Sequence, residues 1–231
     1  MILLLLVSAA SSYELQYTDD GTLLLCKHFP ISYTLVTDNS PIDADVLEEV
    51  TELSFSHWDL DGTKLSFDYE GVSSDTPVVK DDGINYVFFR NDWPYHPKLG
   101  LTTIYALTTG EVYGFDIEYD ASGFWSTEEE EGAYDFENSM THEIGHVLAL
   151  GHSEVEEATM WWETLPDEIS KRTLHADDHD GIMYLYQGAY EPDDDEEGKA
   201  KLDGLWCNNA AGPAGWMAIF SVLLATVRRR Y

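Results

Sequence analysis

Cysteine and basic residues are scarce in this sequence. Among 231 residues there are 2 cysteines, and 12 lysines and arginines stand against 44 aspartates and glutamates, for a formal net charge of -32. Cys26 and Cys207 are too few for a disulfide framework or a cysteine-rich metal site, and whether they pair with each other stays open. The negative charge repels nucleic-acid phosphates and anionic lipid headgroups, so we expect no nucleic-acid partner.

Hydrophobic residues make up 44% of the chain, which is enough for one well-packed domain. We place this domain at residues 29–188. Before it, residues 1–12 form a short apolar run followed by small residues, which predicts an export signal cleaved after Ala10 or Ser12. No lysine or arginine precedes the run, so a buried first strand or a misplaced start codon is the alternative.

The composition changes after the domain. Residues 189–206 form an acidic linker, and residues 207–231 form a tail that is largely small or apolar from Ala210 to Val227 and then carries three arginines. The apolar part is marginal for a membrane span, which needs about 20 residues. The arginines favour the cytoplasmic side, which predicts a membrane anchor with the domain outside. A buried C-terminal helix is the alternative.

Alternating and helical apolar patterns predict an α+β fold. The predicted strands are Ile31–Val36, Lys64–Glu70, Ile84–Arg90, Leu101–Leu107 and Glu111–Tyr119. Helices are predicted at Asp135–Leu150 and Ala176–Tyr186.

An earlier helix is predicted from a start signal at Ser40, Pro41 and Asp43, which would serve as N-cap, first-turn proline and capping-box acid. Its apolar face is predicted to comprise Val46, Leu47, Val50, Leu53 and Trp58.

The residues that indicate chemistry lie in Thr141–Ser153, which reads THEIGHVLALGHS. On a helix, His142 and His146 are one turn apart on one face, so both imidazoles reach one metal ion, and Glu143 projects beside them toward a water molecule. If the chain turns sharply after the helix, His152 returns as a third ligand and water takes the fourth position of a catalytic zinc site.

This pattern predicts peptide-bond hydrolysis with Glu143 as the general base, because zinc acidifies water and polarises the scissile carbonyl. A chance HExxH string on an ordinary helix is the plain alternative, which the third histidine disfavours. A catalytically weak zinc-binding or peptide-binding module at the cell surface is a second alternative. A binder, however, needs no general base.

Taken together, these residues resemble the matrixin branch of the metzincin metallopeptidases, whose HExxHxxGxxH motif precedes a methionine turn. His152-Ser153 and Ala158-Thr159-Met160 carry the resemblance, which extends from Ile31 to Gly188 and is to exported bacterial members. It implies a zincin fold with a mixed, twisted five-stranded sheet, an active-site helix and a small C-terminal subdomain after Gly151. A metallopeptidase of another clan, with a glutamate as third ligand, fits His152 and Met160 less well.

The resemblance also implies where substrate binds. The strand Leu101–Leu107 would be the cleft edge, to which an extended protein or peptide substrate adds by β-augmentation. The implied substrate-binding residues are Thr103, Ile104, Tyr105, Ala106, Trp161 and Trp162. For the two tryptophans, which would shape the pocket for the residue after the scissile bond, core packing is the alternative. We expect a monomer that is secreted or held at a bacterial cell surface.

Three departures from the family pattern matter. Ala149 stands where the motif has glycine, and alanine in a left-handed turn costs about 1 kcal/mol; Gly151 is expected to share the bend. The histidine-rich and aspartate-rich loop for a structural zinc is missing between Leu107 and Glu111, so we expect a single zinc ion. No cysteine switch is recognised, since Cys26 lies in a different context.

Other polar clusters have plain explanations. Asp116, Glu118 and Asp120 suit calcium, but alternating acids are typical of an exposed strand face. His175 and His179 are expected to lie at the surface. Cys207, Gly212, Gly215 and the arginine cluster resemble a tripartite C-terminal sorting signal, with cleavage near Cys207.

Overall fold

The computed structural model describes residues 12–188 and 220–224. The predicted export signal up to residue 11, the acidic linker and the tail other than residues 220–224 lie outside this part of the chain. Within the two described ranges, no helix has both the length and the apolar character needed to cross a membrane.

Among the described residues, one mixed sheet of seven strands forms the centre of the fold. The strands are β1 (Leu25–Cys26), β2 (Ile31–Val36), β3 (Phe67–Val72), β4 (Tyr86–Arg90), β5 (Gly100–Ala106), β6 (Glu111–Asp120) and β9 (Phe220–Leu224). Their order in the sheet is β3-β2-β4-β6-β5-β9, and β1 also pairs with β6. Two short strands, β7 (Trp125–Ser126) and β8 (Tyr134–Asp135), pair separately. All five predicted strands are present, with starts or ends shifted by up to three residues, and β1 and β9 are additional.

Strand β5 lies between two antiparallel neighbours. It pairs with β6 on one side and with β9 on the other, from Thr102 opposite Leu224 to Ala106 opposite Phe220. The strand expected to be the cleft edge, Leu101–Leu107, is therefore not an edge strand in the described residues, because residues 220–224 of the same chain pair with it.

In the part of the chain that the structure describes, three helices accompany the sheet: α1 (Ala44–Ser56), α2 (Phe136–Val147) and α3 (Ala176–Tyr186), with a short 3-10 helix at Ser170–Arg172. The range of α3 is the predicted one. Helix α2 is shorter than predicted, since Leu148 already caps it and the chain then bends.

The start of α1 is also corrected. Asp43 is the N-cap, with its carboxylate accepting from the amide of Asp45 at 3.1 Å, while the Ser40 hydroxyl accepts from the Ile42 amide in a preceding turn. An aspartate with extended backbone next to the first helical residue makes the earlier serine unnecessary as a cap.

The predicted apolar face of α1 is partly wrong. Leu47 and Phe55 are buried, and Val50 packs partly against the core, but Val46 and Leu53 are exposed. Their positions lie outside the stripe that recurs every three to four residues. Trp58, just beyond the helix, is fully buried and donates its indole hydrogen to the Thr141 carbonyl at 3.0 Å.

The main core lies between the sheet and helices α1 and α2. Every residue of α2 is buried, so this helix is held on all sides and its side chains have fixed positions. Aromatic rings of Phe89, Tyr119, Trp125 and Phe136 pack on one another at its start, with centroids between 5.1 and 5.9 Å apart. The core thus makes α2 a rigid platform for the residues that follow.

Candidate metal centre

Three histidines converge at the end of α2. The Nε2 atoms of His142 and His146 are 3.1 Å apart, and the ring of His152 is centred 5.4 and 5.0 Å from theirs. One ring nitrogen of each lies within 4.8 Å of the others. Within residues 12–188, no other three histidines, cysteines, aspartates or glutamates approach one another this closely.

This arrangement fits zinc. Zn–N bonds of about 2.0–2.1 Å at tetrahedral angles place neighbouring ligand atoms about 3.3 Å apart, close to the observed 3.1 Å between the two Nε2 atoms of α2. Two imidazole lone pairs facing each other at that distance repel unless a cation lies between them. The donor set of three imidazoles leaves a fourth position for water, as in catalytic rather than structural zinc sites.

Backbone carbonyls fix the orientation of two of the rings. The Nδ1 of His142 lies 2.6 Å from the Thr159 carbonyl oxygen, and the Nδ1 of His146 lies 2.8 Å from that of Leu150. Each Nδ1 donates its hydrogen to the carbonyl, which leaves the Nε2 lone pair directed into the site.

Burial lowers the pKa of both His142 and His146 well below the ordinary histidine value, and the neighbouring histidines add to the effect. Removing a charged imidazolium from water costs more than removing a neutral imidazole. Both rings are therefore neutral at physiological pH, the form that binds metal.

Glu143 lies fully buried beside the histidines. Its Oε2 accepts a hydrogen bond from the Thr102 hydroxyl at 2.7 Å, while Oε1 has no hydrogen-bond partner in the described part of the chain. Burial raises the pKa of Glu143 to about 8, against the opposing effects of Thr102 and Lys98. A carboxylate with one held and one available oxygen and a raised pKa is a suitable proton acceptor.

The sharp turn after α2 is made by Ala149, whose φ is +65°. The expectation that this position requires positive φ is confirmed, and the residue is fully buried. Gly151 does not share the bend, contrary to expectation, since its φ is not positive. The strain of about 1 kcal/mol therefore falls on the one alanine.

Met160 packs against Gly145 of α2 and has 2% of its surface exposed. Its amide and that of Thr159 both donate to the carboxylate of Asp178, at 3.0 and 2.8 Å. Asp178 thus fixes the turn whose Thr159 carbonyl orients His142. The sequence pattern places Asp178 only in a closing helix. An aspartate in the first turn of a helix often accepts hydrogen bonds from backbone amides, and this could have indicated its role.

Lys171 is a further residue that the sequence did not single out. It is fully buried, and its ammonium donates to the carbonyls of Trp161 and Glu163 and to the Thr164 hydroxyl. Its amide donates to the Asn138 side chain on α2 at 2.7 Å. Lys171 therefore ties the segment after Met160 to the metal-bearing helix.

The predicted substrate-binding residues fall into two groups. On β5, Ile104 and Ala106 belong to the core and the Tyr105 hydroxyl donates to Asp116 at 2.8 Å, so the side chains of these residues are engaged within the protein. Thr103 is also buried, at 2% exposure.

Trp161 and Trp162 follow the methionine turn. Both are partly exposed, and neither belongs to the core clusters of the described residues. Their rings are 5.7 Å apart. A pair of partly buried rings at this position leaves the predicted role in a pocket wall open to test.

The acidic residues of β6 are not on an exposed face, contrary to prediction. Asp116, Glu118 and Asp120 are all fully buried. Asp116 accepts from the backbone amide of Tyr86 as well as from Tyr105, and Glu118 pairs with Arg90 at 2.7 Å. The alternation of acids along β6 wrongly indicated an exposed face, because both faces of this strand are covered. These acids have structural partners here, and calcium binding stays a prediction.

The remaining sequence candidates have structural positions. His175 caps α3, with its ring accepting from the Asp177 amide, whereas His179 is exposed as expected. The Cys26 thiol is buried 3.6 Å from the Val147 carbonyl oxygen, and Cys207 lies outside the described residues.

Comparison with known proteins adds to this geometry. The family model named Matrixin matches residues 26–187. The chain is 26% identical to Matrilysin of Rattus norvegicus over 162 residues, which is 68% of this chain and 56% of that protein. It is 39% identical to Metalloendoproteinase 4-MMP of Arabidopsis thaliana over 120 residues, 50% of this chain and 34% of that protein. The chain thus spans little more than half the length of the first of these relatives.

Proposed function

Because the chain belongs to the matrixin family, we propose that it is a zinc-dependent endopeptidase acting on extracellular proteins. The single observation that carries this proposal is the buried carboxylate of Glu143, with Oε1 available, beside three histidines that can share one metal ion. A binding module has no use for a proton acceptor at this place. We expect one zinc ion, held by His142, His146 and His152.

In the proposed mechanism, His142, His146 and His152 would hold a zinc ion, which would make water a stronger acid and polarise the scissile carbonyl. Glu143 takes the proton from water and passes it to the leaving amine. Thr102 holds Oε2 at 2.7 Å, which keeps Oε1 directed toward the reacting atoms. The two ring orientations set by backbone carbonyls need no rearrangement when metal binds.

Substrate is proposed to bind along β5 as an added antiparallel strand. Backbone groups of Thr103, Ile104, Tyr105 and Ala106 would supply the hydrogen bonds, and Trp161 and Trp162 would contact the residue after the scissile bond. Since β9 pairs with the same strand, substrate binding requires that this C-terminal segment leave.

We further propose that the chain is exported and that its tail holds it at the outer face of a membrane until cleavage. The export signal of residues 1–12 and the terminal arginines support this location. Pairing with β5 and insertion into a membrane exclude each other for residues 220–224. In this proposal residues 220–224 cover β5 in one state, and the tail anchors the protein in the other.

The test is digestion of casein or gelatin by the purified full chain, with and without a zinc chelator. We expect cleavage that stops with the chelator and returns on adding zinc, with internal cuts identified by mass spectrometry. Peptide capture without turnover by the zinc-loaded protein would favour the binding module instead.

A further inference from the structure

A short segment before the family match lies against the turn that carries the metal ligands. We call residues 14–16 the N-terminal clamp. The family match begins at residue 26, so the clamp is outside it. Leu15 forms an antiparallel bridge with Leu150, in the turn between the second and third histidines.

Two backbone hydrogen bonds fasten the clamp on either side of this bridge. The Gln16 amide donates to the Ala149 carbonyl at 2.9 Å, and the Gly151 amide donates to the Glu14 carbonyl at 2.8 Å. The two bonds therefore hold both ends of the strained turn, which begins at Ala149, where φ is +65°. An alanine released from such contacts relaxes toward negative φ, which would move the following histidine.

The side chain of Gln16 reaches the metal centre itself. It is 4% exposed; its Nε2 donates to the Leu150 carbonyl at 2.8 Å and lies 3.2 Å from Nδ1 of His146. The same carbonyl oxygen is 2.8 Å from that Nδ1. Gln16 thus fixes the acceptor that orients the His146 ring.

We propose that the N-terminal clamp is part of the metal centre, with Gln16 as a positioning residue for His146 and with the backbone of residues 14–16 holding Ala149 in its left-handed conformation. This proposal depends on the assignment of His146 and His152 as zinc ligands under the proposed function. Changes to the hydrogen-bond partners of metal-bound histidines weaken metal affinity by about 10–100-fold. Because Gln16 holds such a partner of His146, we expect an effect of this size.

The decisive variant is Gln16→Met in the full chain, which keeps the length of the side chain and removes its amide. We expect zinc affinity, measured by competition with a chromophoric chelator, to fall about 10–100-fold. We also expect a changed visible spectrum after cobalt substitution, because the bands report ligand geometry. Gln187→Met is the matched control, since Gln187 is exposed at the end of α3.

A second change tests the part played by the turn. Adding Ala149→Gly to Gln16→Met should restore about fivefold in zinc affinity, because glycine adopts positive φ without the alanine penalty. If Gln16→Met fails to fold by circular dichroism, Gln16→Asn keeps a polar side chain that is one carbon too short to reach Leu150. The same loss of affinity is expected.

The outcomes separate this proposal from the proposed function. Absence of zinc binding by the unchanged protein would contradict the function itself. Tight zinc binding by the unchanged protein, with the same affinity and cobalt spectrum in a folded Gln16 variant, would overturn the clamp and leave the function standing.

Discussion

Gly145 and Met160 are in such close contact that a Cβ atom at position 145 would lie 2.2 Å from the methionine sulfur. Glycine in the middle of a helix weakens it by about 1 kcal/mol relative to alanine. Here the missing side chain lets the segment that carries Met160 approach α2 at the residue that precedes His146. The glycine within HEIGH is thus explained by packing.

The first prediction is that Gly145→Ala destabilises the protein in spite of the better helix propensity of alanine. Displacing Met160 in a packed core should lower the free energy of unfolding by about 1–3 kcal/mol, measured by denaturant titration. Gly114→Ala is the comparison, because the nearest atoms to its Cβ, in Tyr105 and Asn85, are 3.3 and 3.4 Å away and need to shift by only a few tenths of an ångström, so a smaller loss is expected. Equal losses in both variants would mean that the contact with Met160 is unimportant.

The second prediction separates metal binding from catalysis. Glu143→Gln should keep about one zinc ion per chain but lose about 10²–10⁴-fold in turnover, because the amide accepts no proton. The zinc content and peptide cleavage rate of the same preparation check this. Exposed Glu154→Gln serves as the control, and activity of Glu143→Gln within about tenfold of the unchanged protein would contradict the mechanism.

The third prediction concerns the third ligand. His152→Ala should weaken zinc affinity by more than about 100-fold, since losing a ligand costs more than losing its outer partner. Competition with a chelator measures it, alongside His179→Ala, which removes an exposed histidine far from the site in sequence. Identical affinity in the two variants would show that His152 does not bind the metal.

Local patterns were sufficient for much of the fold. Strand-like apolar stretches separated by Gly, Asp and Pro predicted all five main strands, and the spacing of His142 and His146 needed only the helical period to place them on one face. The positive φ at Ala149 followed from the motif. These features depend on neighbours within a few residues, which a single sequence displays.

Contacts between distant residues were not predictable in this way. Thr102 and Glu143, or Gln16 and His146, meet only because the sheet and the N-terminal segment fold against α2, and no periodicity joins them. Asp116 was misjudged for a related reason: alternation locates one face of a strand but does not say whether that face is covered.

The fourth prediction concerns pH. Burial lowers the pKa of Lys171 from 10.5 to about 8. Between these values the unfolded chain binds more protons at this residue than the folded chain does, so this contribution to the free energy of unfolding rises with pH. From about pH 7.5 to 9.5, the free energy of unfolding of the unchanged protein should rise by about 1–2 kcal/mol relative to that of Lys171→Met, at constant zinc concentration.

Denaturant titrations at each pH measure this difference, and subtraction of the variant removes effects common to both proteins. Lys80→Met is the control, because Lys80 is exposed and paired with Asp82. A difference between the unchanged protein and Lys171→Met that stays constant with pH would show that the buried ammonium keeps its ordinary pKa, and a difference that falls with pH would show that its pKa is raised; either result contradicts the prediction.

The last prediction concerns the tail. Removing residues 204–231 should move the protein from the membrane fraction to the medium, and should raise its turnover of casein several-fold by uncovering β5. Val222→Pro in the full chain separates the two effects. Val222 lies opposite Ile104 in the antiparallel ladder, and proline at this position disrupts the pairing with β5. Turnover of casein should therefore rise while the protein stays in the membrane fraction. If full-length and shortened forms are equally soluble and equally active, the tail is neither an anchor nor a cover, and free secretion is the better interpretation.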